Sequence, residues 1–320
     1  MIEALVVGRV GVDLTPSTPR TTLAAAGSFA RAVGGFAGNI GTGLARLGIR
    51  TAVLSAVGDD GHGDHVRRFL AGEGIDVDPI VTKPGTRTQV AFFEVWPPDQ
   101  FPVTFYRSTP APETRLTASD MPRAMVEEVP LVVLSGAALA VEPARSAAFA
   151  LLENRRAARD GRPDAVTLLD LDWRPTLWDD VGEAPAIMEQ AARLSDVLVG
   201  SDEEFEAARL RPEAGNADGP HTIVLKHGPA GVSLVTEGER RTLSGITVEV
   251  LCGLGSGDGL TAAFSAGLLR GLDPVVAVER GNAAGAIVAS RLMCSTAMAT
   301  SVEIDRLLAG LSVEPQGAAS

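Results

Sequence analysis

The stretch Cys252-Gly253-Leu254-Gly255-Ser256-Gly257-Asp258-Gly259 sets a carboxylate and a hydroxyl among glycines, directly ahead of an apolar run ending near Leu269. Leu260, Phe264 and Leu268 recur at helical spacing, so the run predicts a helix with a face to bury. Without Cβ atoms, backbone N–H groups in such a turn can crowd around an anion, and the helix N-terminus adds a favourable dipole. Asp258 then stands at the mouth of an anion site, where a carboxylate repels the ligand. Its placement makes sense if it takes a proton from a hydroxyl that attacks a phosphoryl group held by the turn. An acidic first-turn residue that favours the helix dipole explains it as well, and the loop alone leaves both open. No Gly-Lys-Ser/Thr follows, so this is not the lysine-bearing phosphate loop.

Other polar groups fall where buried strands should end. Gly8-Arg9-Val10-Gly11-Val12-Asp13 closes a β-rich run that begins at Leu5, and Asp13 either caps a turn or hydrogen-bonds a polyol. Ligands of open α/β sheets collect outside the carboxyl ends of strands, which favours the polyol. Gly34-Gly35-Phe36-Ala37-Gly38-Asn39 is a second glycine-rich turn feeding a helix. Asn39 suits either the N-cap of that helix or a substrate hydroxyl. Asp170-Leu171-Asp172-Trp173-Arg174-Pro175 again gathers charge at a strand end. Ser201-Asp202-Glu203-Glu204 opens a helix; capping accounts for Asp202 and Glu203, while Glu204 also suits Mg²⁺ or its waters. Lys226 precedes the turn His227-Gly228-Pro229-Ala230 and either neutralises nucleotide charge or is an ordinary surface lysine. The four histidines have no zinc spacing.

These groups need elements to hold them. Residues 51–57, 131–135, 166–172, 197–200, 222–226 and 231–236 read as strands, as do 5–12 and the end of a strand at 245–250. Residues 40–47, 61–70, 142–159, 186–194 and the run after Asp273-Pro274 read as helices. Such alternation argues for a mostly parallel sheet covered on both faces. Residues 88–96 and 101–107, joined by Pro97-Pro98-Asp99-Gln100, break the rhythm as an antiparallel hairpin. It either projects as a flap or edges the core. Small residues at 281–286 permit close approach by a helix or by a flat ring, and residues 315–320 should fray.

With 320 residues and 45% hydrophobic content, the chain can bury a substantial core, as one large α/β domain or as two. Its net charge of -12 disfavours nucleic acid and anionic membrane as partners, since both need a basic face. No apolar run reaches spanning length and no secretory signal precedes the first strand. The two cysteines, Cys252 and Cys294, do not suggest a disulfide framework, so a reduced cytoplasm is the expected location.

The two glycine turns, at residues 34–39 and 253–258 and in that order, resemble the paired signatures of the ribokinase-like (PfkB) carbohydrate kinases. The resemblance runs from Val6 to about Ile304. Within the family, residues 8–13, Trp96-Pro97-Pro98-Asp99 with Phe105-Tyr106-Arg107, residues 169–175 and residues 281–292 are similar to the bacterial 5-dehydro-2-deoxygluconokinases of inositol catabolism. The resemblance implies a single ribokinase-like domain over residues 1–320 with a three-layer αβα Rossmann-like core. A small β-sheet lid would come from about residues 8–14, 30–36 and 87–108. It implies ATP as donor, Mg²⁺ between the phosphates, and a sugar or keto-sugar acid such as 5-dehydro-2-deoxygluconate as acceptor.

Mapped by motif, Asp258 is the base, and Gly255, Ser256 and Gly257 form the anion hole. By the same resemblance Asp13, Gly34, Gly35, Asn39, Asp172 and Arg174 would hold the sugar, and Arg107 would approach its carboxylate from the lid. Glu204 falls in the metal-linked acidic motif. Lys226, Gly228, Gly231, Gly253, Gly255 and Asn282 line the nucleotide pocket. Phosphoryl transfer needs mainly positioning and charge stabilisation, so this inventory suffices. An exposed lid sheet invites burial and could pair with another subunit's lid, which leaves a homodimer through the lid open.

The chain departs from the family mostly at the sugar end. Cys252 stands where Asp or Asn is usual, and Phe36-Ala37-Gly38 where the inositol-pathway kinases have Ser-Pro-Thr. Pro110 aligns with a lysine that would help pair an acid; Ser201 replaces an asparagine and Gly259 an alanine. These changes leave the reaction class intact. They keep open another acceptor (2-keto-3-deoxygluconate, fructose, ribose or a nucleoside) and a kinase-like binding protein without catalysis. A dehydrogenase is poorly supported, because the first strand lacks the Gly-x-Gly-x-x-Gly turn.

Overall fold

The computed structural model describes residues 1–162, 164–212 and 219–312. Elements are numbered along the chain. The larger sheet has nine strands in the order β13 (Glu239–Ser244), β12 (Gly231–Thr236), β11 (Thr222–Lys226), β10 (Val197–Ser201), β9 (Val166–Asp170), β8 (Leu131–Ser135), β1 (Ala4–Val7), β4 (Thr51–Val57) and β5 (Ile80–Thr82). From β11 to β5 all neighbours run parallel, and β12 and β13 are added antiparallel at one edge.

Successive strand side chains point to opposite faces, and here both faces are apolar, as a covered parallel sheet requires. Ala4 and Val6 of β1 join a core with helices α1 (Phe36–Arg46), α2 (Gly61–Gly72), α7 (Ser256–Leu269), α8 (Pro274–Ala289) and α9 (Ser301–Leu308). Leu5 and Val7 join a second core with α3 (Arg123–Glu128), α4 (Ala144–Ala158), α5 (Ala184–Arg193) and α6 (Asp202–Ala207). The result is a helix–sheet–helix sandwich of three layers. Among the described residues no helix is long and apolar enough to cross a membrane.

A separate four-stranded sheet has the order β3 (Phe29–Gly34), β2 (Gly11–Pro16), β6 (Val90–Phe93) and β7 (Val103–Tyr106). β6 and β7 form the expected hairpin, which belongs to the small sheet rather than to an edge of the large one, with β6 pairing β2 in parallel. The single run expected over residues 5–12 is split: β1 belongs to the large sheet and β2 to the small one. The chain crosses between them at Gly8, where a Cβ would lie 2.9 Å from the Phe36 ring.

α7 is buried from Gly259 to Gly267. Glycines let α8 approach it closely: a Cβ on Gly281 would lie 2.9 Å from the Leu260 carbonyl oxygen, and one on Gly285 3.1 Å from that of Ser256. The small residues at 281–286 therefore serve helix packing. The strand expected at residues 245–250 is absent. Ile246, Val248 and Val250 alternate as a strand would, but regular pairing ends at Ser244. Leu251 and Cys252 instead donate their N–H groups to the Ala289 carbonyl at 2.9 and 3.0 Å, hanging the following turn from the end of α8. Residues 315–320 lie outside the described residues.

Candidate active site

Gly255 caps α7 in the left-handed region, with φ 81°. A Cβ there would be strained and would lie 3.1 Å from Cys294 Cβ. Ser256 Oγ donates to the Gly253 carbonyl at 2.8 Å and closes the turn. The first N–H groups of a helix have no intrahelical acceptor and sit at its positive end, an arrangement that can take an anion; here the Ser256 N–H also bonds the Gly253 carbonyl at 3.3 Å.

Asp258 lies in this first turn, where its Oδ2 accepts from Asn39 Nδ2 at 2.7 Å; Asn39 Oδ1 in turn accepts from Ser295 Oγ at 2.8 Å. Asn39 is not an N-cap. Gly35, with φ 85°, occupies that place, and Asn39 lies one turn into α1 with its side chain free to reach across the cleft. Burial pushes the Asp258 carboxyl up to about 7; the Asn39 hydrogen bond opposes this, while Asp172 and Asp170 add to it. A carboxylate poised near neutrality is a competent general base.

Asp13, Gly35, Asn39, Asp172, Arg174, Gly255 and Asp258 line one cleft of about 370 Å³ between the carboxyl ends of the large sheet and the inner face of the small one. Phe105 and Val103 of β7 form part of its roof. Gly34 lies behind it: a Cβ on Gly34 would run into the Asp13 carboxylate, so this glycine makes room for that group. Burial raises Asp13 to about 6, against a hydrogen bond from the Cys294 thiol and the charge of Arg9. Burial and then Asp13 drive the Cys294 thiol well above its ordinary range, so it stays protonated as a donor.

Asp172 has φ 37° and is held from three sides. Arg9 Nη2 donates at 3.0 and 3.3 Å, Ser135 Oγ at 2.6 Å, and Arg174 Nη2 lies 3.2 Å away. Although burial opposes ionisation, Arg9 and Arg174 hold Asp172 below the usual carboxylate range.

Arg107 is turned away from this cleft. Its guanidinium pairs with Glu113 and lines a separate cavity of about 30 Å³. A half-buried cation needs a carboxylate, and Glu113, on the short turn Pro112–Arg115, supplies one locally.

Lys226 is not a surface lysine. Its Nζ donates to Asp170 at 3.1 and 3.2 Å and lies 3.6 Å from Glu204. Thr261 Oγ1 on α7 donates to the same Asp170 at 2.8 Å. Burial opposes its charge, but Asp170 and Glu204 raise the Lys226 pKa. A Cβ on Gly257 would lie 3.5 Å from Lys226 Nζ, so this ammonium sits beside the anion turn.

Glu204 completes the capping box of α6, accepting from Ser201 N at 2.7 Å, and its other oxygen accepts from Trp173 N at 3.0 Å. No group of three or more His, Cys, Asp or Glu among the described residues is arranged to hold a metal ion. Glu204 is therefore a cap first.

Gly228, Gly231 and Asn282 lie outside this cleft. Gly231 pairs with Ser244 across the sheet edge, and Asn282 Nδ2 donates to the Ser244 carbonyl at 2.9 Å. Gly253 faces the loop of the small sheet, where a Cβ would lie 3.1 Å from the Phe101 ring. Asp170, Cys294 and Ser295 were not singled out from sequence. Asp170 shares a strand end with Asp172, a usable signal; nothing in residue type or spacing marks Cys294 or Ser295.

The sequence matches the model of the pfkB family carbohydrate kinases over residues 1–301. It is 31% identical to the 5-dehydro-2-deoxygluconokinase of Clostridium tetani, over 96% of this chain and 93% of that protein. It is 32% identical to 5-dehydro-2-deoxygluconokinase 2 of Bacillus cereus, over 96% and 95%. The fold is similar to the crystal structure of a putative ribokinase II from E. coli in complex with ATP and Mg²⁺, with a TM-score of 0.84 at 20% identity, covering 97% of this chain and 100% of that one.

Proposed function

The chain belongs to the pfkB family of carbohydrate kinases, and from that membership we propose that it transfers the γ-phosphoryl group of ATP to a hydroxyl of a keto-sugar acid of the 5-dehydro-2-deoxygluconate kind. The observation that carries this is the position of Asp258: a carboxyl group raised to about 7, in the first turn of α7, facing a cleft that also contains Asp13 and Asn39. Asp258 takes the proton of the acceptor hydroxyl as that oxygen attacks phosphorus. The turn at Gly255, Ser256 and Gly257 stabilises the charge that develops on the transferred group. Asp13, Asn39, Asp172 and Arg174 fix the sugar, with Gly34 and Gly35 shaping its floor.

ATP lies on the Lys226 side of the turn, toward Gly228, Gly231, Gly253 and Asn282. Glu204, whose two oxygens accept from the Trp173 and Ser201 amides, is the residue that would hold Mg²⁺ or its waters, and the ion would neutralise phosphate charge. Residues 1–320 act as one unit, with the small sheet as a lid that excludes water from the cleft. The outer side of that lid carries the edge-to-face stack Phe29–Phe92–Tyr106, with ring centroids 5.6 and 5.3 Å apart and Tyr106 63% exposed. A second copy's lid is its natural cover.

A neutral sugar acceptor is the second reading, favoured by the engagement of Arg107 with Glu113. ADP release measured with ATP and Mg²⁺ over a panel of neutral sugars, keto-sugar acids and nucleosides separates the two. Turnover of acids is the expected result. Turnover of neutral compounds alone moves the protein to the second reading, and silence across the panel with ATP still binding removes both.

A further inference from the structure

We propose that Arg9 is a specificity-determining residue of this cleft, the guanidinium that receives the carboxylate of an acid substrate; the inference rests on the function proposed above. Arg9 lies on the crossing from β1 to β2 and is only 8% exposed, yet it lines the cleft with Asp13, Asn39 and Asp258. Its hydrogen bonds within the protein all leave from Nη2, to the two oxygens of Asp172. Among the described residues Nε and Nη1 have no hydrogen-bond partner, and Arg9 lines both this cleft and the small cavity beside Arg107. An arginine carries five N–H donors, and donors this deep in a protein normally have acceptors. A ligand oxygen fits that need.

The group is also fixed before the ligand arrives. Asp172 pins one end of the guanidinium and is itself held by Ser135 Oγ at 2.6 Å, so little side-chain freedom is left to lose on binding. Asp172 is shared with Arg174, 3.2 Å away, so Arg9 does not have its one carboxylate to itself, whereas Arg174 also has Glu204 at 4.0 Å. Of the other arginines at this end, Arg174 lines the cleft and shares Asp172, while Arg107 lies outside the cleft, paired with Glu113 through Nη2 and with its Nε unpartnered. Charge-assisted hydrogen bonds from a guanidinium to a carboxylate are the strong class, and a neutral sugar cannot form them.

The test compares kcat/KM for the keto-sugar acid with that for its neutral analogue, in which the carboxylate is reduced to a hydroxymethyl group. Wild type, Arg9→Met, Arg9→Lys and the double variant Arg9→Met with Asp172→Asn are measured. Because each variant supplies its own acid-to-neutral ratio, partial loss of folded protein cancels. Arg9→Met should lower the ratio about 10- to 100-fold, chiefly through KM for the acid. Arg9→Lys, a point charge in place of a planar fork, should lower it about 3- to 10-fold. If Arg9→Met leaves Asp172 too costly to bury, the double variant and Arg9→Lys carry the measurement. Ratios within about twofold of wild type in every folded variant overturn the inference and leave the kinase assignment standing. A wild-type enzyme that accepts only neutral sugars overturns the acid assignment instead, and this inference with it.

Discussion

Asn39 Nδ2 donates to Asp258 Oδ2 at 2.7 Å across 219 positions of sequence, and this one bond joins the two glycine turns into a single site. Asn39 is anchored on its other side by Ser295, so the amide has a defined orientation and presents its N–H to the carboxylate. The bond favours the ionised form of Asp258 and opposes the burial that disfavours it.

Asp258→Asn should lower kcat by about 10²- to 10⁴-fold with the fold intact, as measured by ADP release and by circular dichroism. If Asp258 is the base, kcat/KM of the wild type should rise with pH and level off above about 7, where this carboxyl group is ionised. Asn39→Ala should move that inflection to higher pH, because it removes the bond that favours the carboxylate. An inflection that stays in place separates Asn39 from the titration of Asp258.

The same carboxyl group ties stability to pH with a definite sign. Its folded-state value of about 7 lies above its ordinary 3.8, so its favourable contribution is complete below about pH 4 and is lost as pH rises toward 7. Asp258→Asn should therefore melt with wild type near pH 4 and a few °C above it at pH 8, on the order of what a kcal/mol or two gives in a chain this long. Thermal scans across pH check this, and equal melting temperatures at pH 8 would refute it. Asp13, raised to about 6, acts in the same direction.

Lys226→Met should destabilise the protein by about 3–5 kcal/mol, because it leaves the Asp170 carboxylate buried without its cation. The double variant Lys226→Met with Asp170→Asn should recover most of that loss in urea unfolding. If the double variant is as unstable as the sum of the two single ones, the pair is not coupled.

Gly34→Ala should displace the Asp13 carboxylate, which occupies the space a Cβ would need. The expected outcome is a KM for the sugar raised about tenfold or more, with KM for ATP little changed, since the substitution touches only the sugar side. A parallel rise in both constants would place the damage elsewhere.

Much of this site is visible in residue order. The turns at residues 34–39 and 253–258 show themselves through glycines, and Asp13, Asp172 and Arg174 through charge at the ends of apolar strands. Periodicity is a local quantity, and it fails where the outcome depends on a distant partner. Residues 245–250 alternate properly but have no neighbouring strand to pair with, and the chain is caught only afterwards, where Leu251 and Cys252 bond to the end of α8. The commitment of Arg107 to Glu113 and the burial of Lys226 against Asp170 are choices among side chains that only the folded chain brings within reach. Arg9 is a lone arginine in a β-rich run, and its meaning appears only when Asp172, 163 positions away, is beside it.

The small sheet has no chain of its own. Its strands are borrowed in two pairs, β2 with β3 and β6 with β7, and each pair enters from the large sheet and returns to the core, giving four connections. A protease that cuts any one of them leaves the sheet tethered by the other three. Nor can it be exchanged between proteins as a cassette, because the segment between the two pairs contains α1, β4, α2 and β5. The roof over the acceptor and the floor beneath it are inherited together or not at all.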